Sequence, residues 1–173
     1  GHSYSKLIHE KLADYTYDLC PLSREEFPVF MEQRAFKAIN VTIPYKKEVI
    51  PYLDELDDNA AAIGAVNTIV NKEGRLIGHN TDFSGFAYMV RESGVEVFGK
   101  KALVLGTGGA SNAVLAVLKK LGADPVISVS RTGKNGAVTY EACVAEHSDA
   151  SVIVNTTPVG MFPNMDASPL DLT

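Results

Sequence analysis

The run Leu103-Val104-Leu105-Gly106-Thr107-Gly108-Gly109-Ala110-Ser111 places a glycine-rich turn between an apolar strand-like stretch and a helix-like one. Gly106 permits a tight turn, Gly108 lets the backbone approach a pyrophosphate, and the N-terminus of the following helix offers unpaired N–H groups. Ser111 takes the third glycine position, where a small residue still allows close helix–strand packing. Gly106, Gly108, Gly109, Ala110 and Ser111 are thus candidate dinucleotide contacts; the competing reading is a glycine-rich turn with no ligand. The next strand ends Ser128-Val129-Ser130-Arg131-Thr132, followed by Gly133-Lys134. An NAD site normally carries an acidic residue there to accept from the ribose hydroxyls. None is present, and Arg131 is able to pair bidentately with a 2′-phosphate, so Ser130, Arg131, Thr132 and Lys134 point to NADP(H) rather than NAD. The alternative is a solvated loop arginine. Asn155-Thr156-Thr157-Pro158-Val159-Gly160-Met161 leaves a last strand at its C-terminal end, where open α/β sheets bind ligands. Thr156, Thr157 and Met161 are candidates for the nicotinamide side, although turn formation accounts for much of this composition.

Polar clusters in the first half also sit at the ends of apolar segments. Ser3-Tyr4-Ser5 stands just before a helix, where hydroxyls and the helix dipole suit a carboxylate; ordinary N-capping explains the same residues. Asn40-Val41-Thr42-Ile43-Pro44-Tyr45-Lys46 ends a buried strand and then offers a lysine, with Asn40 and Thr42 on one face by alternation. Lys46 beside Lys47 also reads as solvated surface. Gly64-Ala65-Val66-Asn67-Thr68 and Gly78-His79-Asn80-Thr81-Asp82 complete the set. Asp82 opens a helix, so an N-cap is its plain explanation, and His79 and His9 read as structural or surface groups.

Composition narrows the function classes. The net charge of −5 argues against a nucleic-acid surface, and 46% apolar residues in 173 suffice for a core. No run is long enough to cross a bilayer, and no basic-then-apolar leader opens the chain. Cys20 and Cys143 are far apart, with no CxxC pair or His/Cys cluster, so neither a metal nor a disulfide framework is expected, and a reducing cytoplasm fits.

These groups need elements to hold them. Helical spacing covers Lys6 to Tyr15, a short strand is expected at Tyr17-Asp18-Leu19, and Ser23 with Glu26 forms a capping box for a helix reaching toward Phe36. A strand over Ala38 to Thr42 follows, then a helical stretch from Lys46 to Leu53 interrupted by Pro51, and a short helix from Asp57 to Ile63. Val66 to Val70 and Arg75 to Gly78 form a hairpin around Asn71 to Gly74. A helix from Phe83 to Glu92 ends near Gly94. Strands at Lys101 to Leu105, Val126 to Ser130 and Val152 to Asn155 then alternate with helices at Gly108 to Leu121 and Glu141 to Glu146. That alternation predicts a parallel sheet covered on both faces. The boundary between domains is expected near Ser93 to Gly99, giving 1–93 and 94–173. Both ends read as cut.

Taken together, the motifs Ser3-Tyr4-Ser5, Asn40 to Lys46, Gly64 to Thr68, Asn80-Thr81-Asp82, Gly106 to Ser111 and Ser130-Arg131-Thr132 resemble those of the shikimate dehydrogenase family. The resemblance implies an α/β chain: an N-terminal α/β substrate-binding domain joined to a Rossmann-like NADP-binding domain, both truncated here. It implies NADPH-dependent reversible reduction of 3-dehydroshikimate to shikimate in aromatic amino-acid biosynthesis. By motif, Ser3 and Ser5 bind the substrate carboxylate. Asn40, Thr42, Asn67 and Asp82 hold ring hydroxyls, and Lys46 and Asp82 form the catalytic pair. The expected partners are the small ring acid and a second copy as a homodimer, with no nucleic acid and no membrane. Lys6 replaces a frequent proline, Ser130 a usual asparagine, and Asn135 a frequent basic residue. A quinate/shikimate dehydrogenase using NAD(P), a methylenetetrahydrofolate dehydrogenase-like enzyme and a non-catalytic ligand-binding relative are the alternatives.

Overall fold

The computed structural model describes residues 4–171, so Ser3 lies outside the described residues. Contacts divide the chain into two compact units, Gly1–Phe36 and Lys37–Thr173.

The first unit carries α1 (Ser5–Leu12) and α2 (Glu26–Gln33). α1 stops short of the expected Tyr15 because Ala13 is already extended, with its N–H on the His9 carbonyl. The chain beyond folds back on the helix: the Tyr15 hydroxyl meets His9 Nδ1, Tyr17 stacks on the His9 ring at 4.3 Å, and Lys6 binds Asp18 at 3.2 Å. The strand expected at 17–19 therefore makes side-chain contacts and, among the described residues, has no ladder partner. α2 opens on the expected capping box, with Ser23 N donating to Glu26 Oε2 at 2.8 Å and Glu26 N to Ser23 Oγ at 3.2 Å. It ends at Gln33 because Arg34 turns left-handed at φ 51°.

The Ser23 backbone and hydroxyl bonds hold the Glu26 carboxyl below its ordinary 4.5. A depressed carboxyl stabilises the fold above its unfolded value, and that contribution is lost as pH falls through the folded value. Glu26→Gln should therefore lower the urea midpoint at neutral pH. The difference should vanish well below pH 4.5. An unfolding difference independent of pH would count against this role.

In the second unit, β1 (Ala38–Asn40), β2 (Glu55–Leu56), β3 (Thr68–Lys72) and β4 (Arg75–His79) form one sheet in the order β1-β3-β4-β2. β3 and β4 make the expected hairpin. Its turn is tighter than 71–74, because Glu73 and Gly74 both take positive φ, 54° and 89°, while Asn71 Oδ1 accepts from Gly74 N at 2.8 Å. β1 pairs antiparallel with β3, placing Asn40 opposite Thr68. The stretch after Lys46 is a series of turns closing in a 3-10 turn, Ile50–Tyr52, with Pro51 at its start. The missing Pro N–H is harmless there and would break a continuing helix.

α3 (Asp58–Ile63) is capped by Asp57 Oδ1, which accepts from Ala60 N at 2.7 Å. The other Asp57 oxygen meets His79 Nδ1 at 2.7 Å, giving that histidine a structural partner. α4 (Thr81–Ser93) then leads to the second sheet and stops at Gly94, left-handed at φ 68°.

The second sheet is parallel, in the order β6 (Val126–Val129), β5 (Ala102–Leu105), β7 (Val152–Asn155). Every residue of β5 is buried, as a strand covered on both faces requires. α5 (Gly109–Lys120) supplies Val114 and Leu118 to one face with Ala102 and Val104. α6 (Tyr140–Glu146) supplies Cys143 to the other with Leu103, Leu105 and Val129. Each large buried aliphatic side chain contributes about 1.5–3 kcal/mol of transfer free energy. Phe83 of α4 packs with Ala113 and Val117 of α5, which joins the two sheets into one unit.

Candidate active site

The polar groups of the second unit converge through backbone bonds made just beyond the strand ends. Val66 N donates to the Lys46 carbonyl at 2.8 Å, Val41 N to the Asn67 carbonyl at 2.8 Å, and Asn67 N to the His79 carbonyl at 3.0 Å. Lys46, Asn67 and the start of α4 are thereby pinned to one end of the first sheet. Lys46 Nζ donates to Asp82 Oδ2 at 2.9 Å across 36 residues of sequence. The side chains are 27% and 43% exposed, so screening leaves the pair worth only about 0–1 kcal/mol of stability. Its value lies in holding an ammonium at a fixed place.

Asp82 is free for this because it is not the cap of α4. That role falls to Asn80, whose Oδ1 accepts from Asp82 N at 3.0 Å. The plain N-cap explanation for Asp82 is thus set aside. Asn67 is buried, and its Oδ1 accepts from Thr81 N at 2.9 Å, Thr81 Oγ1 at 3.2 Å and Thr68 Oγ1 at 3.1 Å. With the carbonyl taken, the amide donor is what Asn67 has left to offer a ligand. Asn40 and Thr42 are both exposed; Thr42 lies in the turn after β1, its carbonyl accepting from Tyr45 N at 2.9 Å. Ser5 is the first residue of α1 in the first unit, not its cap.

An ammonium held near an amide donor suits a reaction in which a carbonyl oxygen gains negative charge and then a proton. The sequence motifs did not reveal that Asn80, Thr81 and Thr68 orient the others. The preference for Asn at an N-cap is the available signal, and Asp82 shares it.

At the second sheet, connections leave β5 toward β6 on one side and return to β7 on the other, so β5 and β7 flank the point where order reverses. Ligands of open α/β sheets bind there. Gly106 lies at that point with φ 104°; an added Cβ would stand 2.9 Å from Thr156 Oγ1 and 2.9 Å from Thr157 Cγ2. Around Gly108 and Gly109 a Cβ would meet nothing within 4 Å, leaving open space. α5 starts at this turn with no side chain capping its N–H groups. Ser111 is buried and donates from Oγ to the Gly108 carbonyl at 2.6 Å, so its side chain shapes the turn, while Ala110 is exposed.

Beyond β6, Ser130 N bonds to the Val138 carbonyl at 2.9 Å and Val138 N to the Ser128 carbonyl at 2.9 Å, closing the intervening loop at its base. Ser130 Oγ accepts from Gly133 N at 3.1 Å. Arg131, Thr132 and Lys134 are exposed, and among the described residues neither cation pairs with a carboxylate. Tyr140 beside them is pushed up by burial, with the Arg131 charge opposing. Open space at the glycine turn, free N–H groups and two free cations together fit a phosphorylated dinucleotide.

After β7, Thr156 donates from N at 2.9 Å and from Oγ1 at 2.7 Å to the Leu105 carbonyl. Thr157 bonds to Asn155 Oδ1 through both N and Oγ1. These hydroxyls build the loop; Met161 stands exposed on it. Burial raises the Cys143 thiol, which leaves it inert inside the sheet–helix core. No group of metal ligands occurs among the described residues, nor a helix long and apolar enough to cross a membrane.

A family model described as the shikimate dehydrogenase substrate binding domain matches residues 1–69. The shikimate dehydrogenase (NADP(+)) of Halothermothrix orenii is 41% identical over 98% of this chain and 68% of its own length. The chain belongs to the shikimate dehydrogenase family. Two solved structures of that family carry the likeness into three dimensions. A chorismate mutase/shikimate 5-dehydrogenase fusion protein from Clostridium acetobutylicum superimposes with a TM-score of 0.85 at 35% identity, covering 99% of this chain and 68% of that one. Shikimate 5-dehydrogenase from Thermus thermophilus, in complex with NADP(H) and shikimate, gives 0.78 at 32%, covering 97% and 66%. The chain thus spans about two thirds of the length of these family members, with the family's α/β fold over its matched part.

Proposed function

We propose that this chain acts as an NADP-dependent shikimate dehydrogenase, reversibly reducing 3-dehydroshikimate to shikimate. The observation that carries this reading is the Lys46–Asp82 contact of 2.9 Å, made by an aspartate that the helix cap leaves free. Residues 1–93 serve the substrate and 94–173 the cofactor. When bound, the nicotinamide supplies the hydride that reaches the ketone carbon. Lys46 donates a proton to the ketone oxygen as charge develops there, and in the reverse direction it accepts that proton. Asp82 holds the lysine in place and accepts from a ring hydroxyl, Asn67 donates to another through its amide, and Asn40 and Thr42 complete the hydroxyl contacts. Ser3 and Ser5 take the ring carboxylate. The glycine turn cradles the pyrophosphate against α5, Arg131 and Lys134 hold the 2′-phosphate, and the loop carrying Thr156, Thr157 and Met161 borders the nicotinamide. The free thiols Cys20 and Cys143 suit a reducing cytoplasm.

The direct test follows the absorbance of reduced nicotinamide with shikimate or quinate, each with NADP or NAD. The shikimate–NADP arm is expected to be fastest; silence in all arms from the intact protein would sink the reading. Arg131→Gln should raise the KM for NADP by about ten- to a hundredfold, as loss of a charge-assisted bond does, and leave that for NAD nearly unchanged. Parallel changes for both cofactors would remove Arg131 from the 2′-phosphate.

A further inference from the structure

We infer that Asn80 is a positioning residue for the reaction: it takes over the capping of α4 so that Asp82 stays with Lys46. This rests on the catalytic reading of that pair. Asn80 is 3% exposed, and both ends of its amide are used. Nδ2 donates to the Ala65 carbonyl at 2.9 Å, while Oδ1 accepts from Asp82 N at 3.0 Å. The first bond ties the start of α4 to the loop leading into Asn67. The second fixes the backbone of Asp82 itself.

Two demands compete for the Asp82 carboxylate. It stands in the first turn of α4, where a negative side chain is drawn to the uncapped N–H groups and the positive end of the helix dipole. It also accepts from Lys46 Nζ at 2.9 Å. The Asn80 carbonyl satisfies the backbone demand and leaves the carboxylate to the ammonium. Remove that carbonyl, and Asp82 turns back onto its own helix. Lys46, held by Val66 only through its backbone carbonyl, then loses the group that aims its Nζ.

Asparagine suits the position in both halves of its amide. Serine keeps an acceptor for Asp82 N and gives up the anchor to Ala65. Aspartate keeps the acceptor but sets a carboxylate against the Ala65 carbonyl, and alanine loses both bonds. A general acid that is held but misaimed costs turnover more than binding.

The test compares Asn80→Ala with Asn80→Ser in the full chain. Asn80→Ala should lower kcat by about tenfold or more, with the KM for NADP unchanged, and Asn80→Ser should recover most of it. Wild-type turnover in the alanine variant, or a serine variant as slow as the alanine one, overturns the assignment. A second readout needs no activity: a urea-unfolding cycle between Asn80→Ala and Asp82→Ala. If Asp82 takes over the cap when Asn80 is lost, its removal shifts the midpoint more in the alanine background than in the wild type. Additive shifts would overturn the proposal. Failure of the shikimate reaction would count against the catalytic reading while this cycle still decided the competition for Asp82.

Discussion

Lys46→Ala should lower turnover of shikimate by about a hundredfold or more, while binding of NADP to the glycine turn stays as in the wild type. General acid–base groups contribute about 10²–10⁴ in rate, and Lys46 is the cation that the fold holds against Asp82 at 2.9 Å. Lys46 contributes little to stability, because its ion pair is part-exposed and screened. The variant should therefore fold, and its defect should appear in kcat. Lys46→Arg is the sharper companion. It preserves charge, but guanidinium neither releases a proton near neutral pH nor fits a point-charge site, so it should remain slow. Stopped-flow measurement of a single turnover, with nucleotide affinity measured separately by fluorescence, separates the two quantities. Near-normal turnover in Lys46→Ala would take the lysine out of the chemistry.

Gly106→Val should be strongly damaging in the cofactor half. Its backbone is at φ 104°, which side-chain-bearing residues rarely adopt, and the new Cβ would press on Thr156 and Thr157 at 2.9 Å. Strain of this kind costs about 1–3 kcal/mol, and contact with the loop after β7 adds to it. The urea midpoint should fall and nucleotide binding should disappear with it. Gly108→Ala makes the contrast. Its Cβ meets nothing of the protein within 4 Å, so the fold should hold while the pyrophosphate loses its close approach to the backbone. Equal destabilisation by the two substitutions, or unchanged nucleotide affinity in Gly108→Ala, would contradict this division of roles.

What the sequence made legible follows from the range of the forces involved. β7 at Val152–Asn155 and the capping box of Ser23 and Glu26 are set by neighbours a few residues away, and both stand where the pattern put them. The glycine-entered α5 behaves the same way, one residue shorter at each end than expected. β2, with only Glu55 and Leu56, is too short to leave a periodic trace; its pairing with β4 creates it. The stretch 17–19 looked like a strand on composition, yet ladder formation needs a neighbour that composition does not supply.

In the candidate site, the motifs mark the polar clusters but not the division of labour within them. Asn80, Thr81 and Asp82 are consecutive, and the pattern alone could not tell which of them caps α4. The Asn80 bond to Asp82 N and the placement of Lys46, 36 residues upstream, separate the cap from the carboxylate. Ser111 illustrates the opposite case. Its position in the glycine motif requires a small residue for packing, and its burial with an inward hydroxyl agrees.

The loop beyond β6 has a consequence for how such an enzyme can diversify. Its base is sealed by the paired bonds between Val138 and residues 128 and 130, so the strand ends regardless of what the loop contains. Arg131, Thr132, Lys134 and Asn135 project outside that seal and are all exposed. On the proposed reading, substitution of Arg131, Thr132 or Lys134 should trade one nucleotide for another at little cost in stability, whereas Asn135 is held at φ 56° and is less free to change. If Arg131 and Lys134 hold the 2′-phosphate as proposed, coenzyme choice is a detachable trait of this architecture, open to drift in nature and to exchange at the bench, whereas the turn at Gly106 is not.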